Sequence, residues 1–317
     1  MRKIAAIAAL SLALSLPCAP ASADPGMSDS EQFKAQVDAE QRMTVPVRIG
    51  ATNAPKPNTY AFVIDTGSQT TAVARSIAET LALPAARNAR IVGVGGINTA
   101  PTAIVDELGL GSRSFYGVQV VLFEARDIGA DGIVGVDSLQ RQRVLLDFAR
   151  NRFTVGDVHS LGGNDGYDII VTARRRLGQL IMADADIDGV RTDIIIDTGA
   201  HTSIGNRALQ QALGRHAAEQ SVTLVSVTGQ SATGQLGYPH KLTIGTADIS
   251  NPQVAFVDAP VFDVLKLNRR PALLLGMREL RLFKRIAIDF TTRKIYFDLP
   301  QSSADDRAGQ ALTMLRK

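Results

Sequence analysis

Cysteine is nearly missing from this chain: of 317 residues the only one is Cys18. It lies just behind an apolar run from Ile4 to Leu16 that follows Arg2 and Lys3, and just before the A-x-A site Ala21-Ser22-Ala23. Charge, apolar run and small-residue site together predict a secretory signal peptide over 1–23, exported to the periplasm or the medium. Pro17 argues against lipoprotein processing at Cys18, and the run is too short for a stable membrane anchor. The mature chain would begin near Asp24 without cysteine, which excludes a disulfide framework and a thiol nucleophile.

Tryptophan is absent and aromatic residues make up only 5%. Excess charge is also lacking. The formal +3 comes from 34 basic against 31 acidic residues, and loss of Arg2 and Lys3 leaves 32 against 31, or +1. With no clustered basic face carrying interleaved aromatics, no nucleic-acid partner is expected. The histidines at 159, 201, 216 and 240 lack metal-ligand spacing, so no metal is expected and His201 reads as structural or solvated. DADIDG at 184–189 opens like a calcium loop, but its twelfth position is Ile195, not Glu. A hairpin turn at Asp188-Gly189 accounts for it better. GVGG at 93–96 lacks the spacing of a dinucleotide loop, and no cofactor is expected.

What is present is a core and a repeat. At 45% hydrophobic and 21% charged, the chain can bury one large domain or two smaller ones. AFVIDTGSQTT at 61–71 and DIIIDTGAHTS at 193–203 each set an ionisable Asp directly behind an apolar run. Burying an unpaired carboxylate costs several kcal/mol, roughly, so a strand of this kind ordinarily ends before it meets a charge. Asp65 and Asp197 lie 132 positions apart, and the same series of signals follows each. First comes a helix, about 74–83 and 206–213. Next come Gly-containing turns, IVGVGGIN at 91–98 and VSVTGQSATG at 225–234. Then come apolar-Gly elements, GIVG at 132–135 and LLLG at 273–276, and closing strand pairs at 144–155 and 286–297.

Short β-branched segments punctuated by turns predict a mostly β chain. It divides into a signal peptide 1–23, an N-terminal segment 24–42, a lobe 43–156, a Gly-rich linker 157–168, a second lobe 169–300 and a polar tail 301–317.

On the two D-T-G-[S/A] motifs and the stretch DGIVGVDSLQRQRVLLDFARNRFTV, the chain resembles retropepsin/pepsin-type aspartic proteases, in particular bacterial retropepsin-like aspartyl proteases, with two units in one secreted polypeptide. The resemblance covers about 43–300. It implies a bilobal pepsin-like fold of two retropepsin-like β-barrel lobes about a pseudo-two-fold axis, with Asp65 and Asp197 as the catalytic pair. Two carboxyls about 3 Å apart cannot both ionise easily, as for aspartic-protease dyads in general, so they share a proton and activate a water against a peptide bond.

Thr66, Gly67, Ser68, Thr198, Gly199 and Ala200 would support the pair. Gly67 and Gly199 permit the tight turn, and by resemblance Thr66 and Thr198 bond each other's loop. Ser68 can donate to its carboxylate and Ala200 cannot, which predicts that Asp65 ionises first and Asp197 carries the proton. Val94, Gly95, Gly96, Val227, Thr228 and Gly229 are candidate flap residues against an extended peptide. The first flap lacks the Tyr of pepsins, which sets it apart from pepsin-like specificity. With both Asp residues in one chain, a monomer suffices. The alternatives are a peptide-binding or scaffold protein using the cleft without catalysis, and a protease restricted to one regulatory substrate.

Overall fold

The computed structural model describes residues 6–8, 12–14, 30–50, 58–111, 113–140, 142–156, 161, 166–214, 220–300 and 312–314. Residues 157–160 and 162–165, most of 1–29 and most of 301–317 lie outside the described residues, and with them most of the expected signal peptide, linker and tail.

The protein is mostly β, in two lobes that repeat one topology. In the first, Asn58–Ile64 pairs in parallel with Gly132–Val134, which runs antiparallel to Ala72–Ala74, itself parallel to the end of Arg113–Phe123. In the second, Asp193–Ile196 pairs in parallel with Ala272–Leu275, which runs antiparallel to Ser203–Gly205, itself parallel to Val254–Phe256. These central strands are apolar on both faces because both faces are covered. Phe62, Val63, Ile64, Ile194, Ile195 and Ile196 are all buried. The first lobe closes on itself where Gly96–Leu110 pairs with both Arg113–Phe123 and Met43–Gly50.

Each D-T-G turn runs through a short strand into a helix, Arg75–Thr80 and Arg207–Leu213. The second starts at Asn206, whose side-chain oxygen accepts from Leu209 N at 2.8 Å and satisfies one of the free amides at the helix start. Asp188 (φ 49°) and Gly189 (φ 83°) form the expected hairpin turn between Ala185–Ile187 and Val190–Arg191.

A sheet shared by the lobes joins them. The hairpin Arg143–Asp147/Arg152–Gly156 abuts the hairpin Arg285–Asp289/Lys294–Asp298 in antiparallel register, Val144 opposite Ile288 and Leu146 opposite Ile286. Ile169–Arg176 flanks it on one side and Ser30–Lys34 on the other. The N-terminal segment is thus built into the fold from Ser30 onward. Arg143 and Asp289 form an ion pair of 3.1 Å with both side chains fully buried, and the guanidinium also stacks on Tyr296. Three short strands complete the pairings. Ala6–Ala8 and Leu12–Leu14 lie along Leu224–Ser226 and Arg90–Val92, and Leu312–Met314 lies along Ala247–Ile249.

Candidate active site

The parallel strand pair in each lobe brings an Asp to the same place. Asp65 N donates to Val134 O at 3.1 Å and Asp197 N to Leu275 O at 2.9 Å, so each apolar-Gly element runs beside its D-T-G turn. The turns fold back on their own carboxylates. Gly67 N and Ser68 N donate to Asp65 Oδ1 at 2.8 and 2.9 Å, and Gly199 N to Asp197 Oδ1 at 3.1 Å. The second turn lies flat against the first carboxyl: a Cβ on Gly199 would sit 2.3 Å from Asp65 Cγ, so only glycine fits. Asp65 and Asp197 are both 0% exposed, and the Oδ2 atom of each is buried without a hydrogen-bond partner among the described residues.

Thr66 and Thr198 tie the two turns together. Thr66 Oγ1 donates to Ile196 O at 2.8 Å and Thr198 Oγ1 to Ile64 O at 2.7 Å, each crossing to the other lobe. The amides of Thr66 and Thr198 donate to the opposite hydroxyls at 3.0 and 3.3 Å. Gln179 adds a bond from Nε2 to Gly67 O at 2.7 Å.

The expected role of Ser68 is corrected. Its hydroxyl donates to Thr70 O at 2.9 Å, and its backbone amide supplies the bond to Asp65. Burial pushes both carboxyls up, because the anion loses its water. Asp65 is raised well above the carboxylate range, with the charge of Asp197 adding to burial and the Ser68 and Gly67 amides and Arg42 opposing it. Asp197 is pushed up to about 6, held back by the amides of Gly199 and Ala200 and by Arg42. Both carboxyls are raised, each is opposed by its own turn's amides, and the two are coupled. The titration therefore belongs to the pair.

A layer beneath the turns was missed in the sequence. Thr71 Oγ1 donates to Asp137 Oδ1 at 2.7 Å and receives Gly135 N at 3.2 Å. In the other lobe Ser203 Oγ donates to Glu279 Oε2 and receives Gly276 N at 3.0 Å. Each hydroxyl thus staples the apolar-Gly element to a carboxyl that follows it. Burial raises both Asp137 and Glu279. The signal was available: a hydroxyl six positions after each Asp, and an acid two or three positions after Gly135 and Gly276.

The candidate flap residues form the tips of two hairpins, Ala85–Gly93/Gly96–Leu110 and Gln220–Ser226/Ser231–Gly237. The tips meet, since a Cβ on Gly95 would lie 2.7 Å from Gln230 O. Gly96 (φ 149°) and Gly229 (φ 76°) hold conformations that favour glycine. Each tip valine crosses over. Val94 is buried in a second-lobe cluster with Ile181, Ile195 and Ile204, and Val227 in a first-lobe cluster with Ile91, Phe123 and Ile133. His201 Nδ1 lies 3.0 Å from Glu40 O. Among the described residues no group of three His, Cys, Asp or Glu is placed to hold a metal ion.

A family model described as aspartyl protease matches the chain twice, over residues 45–138 and 183–278. Each match spans one D-T-G turn and the apolar-Gly strand beside it. No curated protein matches the chain. With more than half its length matched, and one unit in each lobe, the chain belongs to the aspartyl protease family as a tandem, two-lobe member.

Proposed function

We propose that the protein is an aspartic endopeptidase whose catalytic groups are Asp65 and Asp197. The observation that carries this reading is the meeting of two buried carboxyls on turns cross-bonded by Thr66 and Thr198. Oδ1 of each carboxyl is taken by backbone amides, which leaves the Oδ2 atoms for the partner and for a water. The ionised member takes a proton from that water as its oxygen attacks the scissile carbonyl. The protonated member donates to the carbonyl oxygen, giving a gem-diol, and proton transfer to the leaving nitrogen then breaks the C–N bond. The turns are held before substrate arrives, so little reorganisation is needed at the moment of reaction.

Substrate would enter as an extended peptide beneath the two hairpins, bonding to their backbone as an added strand does. Entry requires Val94 and Val227 to leave the opposite lobes. Burial of a valine is worth about 1.5–3 kcal/mol, so opening both tips costs several kcal/mol that peptide contacts must offset. This favours a protease of narrow specificity over a general one. Export by the signal peptide to the periplasm or medium, and action as a monomer, belong to the same proposal.

Cleavage of a diverse peptide library by the chain from Asp24 onward, from acidic to neutral pH, tests the reading. Cleavage lost in Asp65→Asn and in Asp197→Asn, and blocked by a statine-type transition-state analogue, is expected. Saturable peptide binding without cleavage at any pH, by a folded protein, would replace it with a non-catalytic binding role.

A further inference from the structure

With Arg143, Arg42 is one of the two largest fully buried side chains among the described residues, at 1% exposed, and it belongs to the segment ahead of the first lobe. A turn holds it. Asp38 Oδ1 accepts from Glu40 N and Arg42 N at 2.9 and 2.8 Å, Asp38 Oδ2 accepts from Arg42 Nε at 2.7 Å, and Gln41 sits at φ 61°. The turn touches both lobes. Arg42 Nη2 donates to Ile128 O at 2.8 Å, just ahead of the GIVG strand, while His201 Nδ1 meets Glu40 O and Arg281 Nε donates to Gln41 O at 2.8 Å. His201 lies four residues after Asp197. Arg42 Nη1 is buried with no hydrogen-bond partner among the described residues.

We propose that Arg42 is a positioning residue of the active site: a fixed counter-charge, brought by the 38–42 turn, that stabilises the singly ionised carboxyl pair of Asp65 and Asp197. A guanidinium cannot shed its proton in a protein, so one buried this deeply is a permanent positive charge. Its salt bridge to Asp38 is on the more open side, Asp38 being 15% exposed, whereas Nη1 carries no acceptor. Met43–Gly50 pairs antiparallel with Asn58–Ile64, Thr44 opposite Val63, and that register continued by two residues sets Arg42 opposite Asp65. The Arg42 charge opposes the rise of both carboxyls. The other titratable or charged groups around the turn are Asp38, Glu40, His201, Arg281 and Asp127, which adjoins Ile128. Of these, Asp38 and Arg281 lie in electrostatic reach of each other. The segment before the first lobe is then part of the active site, not a removable leader.

The inference rests on the dyad reading, and its test is independent of turnover: titration of the Asp65 and Asp197 side-chain carbons by NMR in the chain from Asp24 onward. Arg42→Met is expected to raise the pair's lower apparent pKa by about 1, the small end of what an opposite charge does. Arg42→Lys, which keeps the charge, should restore most of that. Asp38→Asn should move the pair the opposite way, downward, because it removes the negative charge that partly cancels Arg42. It also keeps a folded test available should Arg42→Met not fold. A structural role alone predicts loss of stability in all three without opposed pKa shifts. An unmoved titration in Arg42→Met, or an upward shift in Asp38→Asn, overturns the proposal. Shifts as expected in a protein that cleaves nothing would uphold the counter-charge and reject the peptidase.

Discussion

A carboxyl pair held in a dry site should weaken the fold at neutral pH, and the cost can be worked out. Asp197 rises from an ordinary 3.8 to about 6. A group whose folded pKa is raised stabilises the fold below its unfolded pKa, and that contribution disappears as pH climbs through the folded value. The loss therefore runs from about pH 4 to just above pH 6. At about 1.36 kcal/mol per pH unit, the rise of Asp197 corresponds to roughly 3 kcal/mol by pH 7.5, and Asp65, also raised, acts in the same direction. Asp197→Asn removes the titrating group and relieves Asp65 of a neighbouring charge. Urea unfolding of both proteins at pH 3.5 and 7.5 gives the comparison. The gap between variant and parent should move in the variant's favour by about 3 kcal/mol from the lower pH to the higher. Equal pH dependence in the two proteins would refute the reasoning, because it would mean that Asp197 ionises as if in water.

Thr66→Val removes a buried cross-lobe donor and leaves Ile196 O unpaired, which should cost about 1–3 kcal/mol in denaturant unfolding and a larger share of activity. Gly199→Ala drives a methyl into the Asp65 carboxyl, so peptide cleavage should fall to background while circular dichroism still reports a folded β protein. Arg143→Met alone strands Asp289 in the lobe-joining sheet and should cost about 3–5 kcal/mol, whereas Arg143→Met with Asp289→Leu should recover most of it. Val227→Asn should loosen the second hairpin from the first-lobe cluster, seen as faster amide exchange at 224–233, with little change in the exchange of the Asn58–Ile64 strand.

Much of the fold was legible because its signals are local. An apolar run ending in Asp-Thr-Gly specifies a buried strand and a tight turn, the GIVG and LLLG segments specify further buried strands, and two copies of the series specify two lobes. The closing hairpins at 144–155 and 286–297 were equally plain, each a pair of β-rich runs about a polar turn. Thr66 and Thr198 were legible only through the family resemblance, since nothing in a D-T-G tripeptide says that its hydroxyl reaches a carbonyl 130 or 134 residues away.

What the tertiary structure decided are the contacts made at a distance. Ser68 stands where a carboxylate could claim its hydroxyl, but the turn points it to Thr70 O and presents the amide instead. Val94 and Val227 look like exposed hairpin-tip residues; their burial exists only because each hairpin reaches over the opposite lobe. Arg42 resembles any arginine in a polar leader until Asp38, Ile128, His201 and Arg281 close around its turn. A sequence pattern sets hydrophobic periodicity and turn chemistry, which act over a few residues. Burial of a charge, the partner of a hydroxyl and the ionisation of a carboxyl pair depend on which distant surfaces come to rest against them.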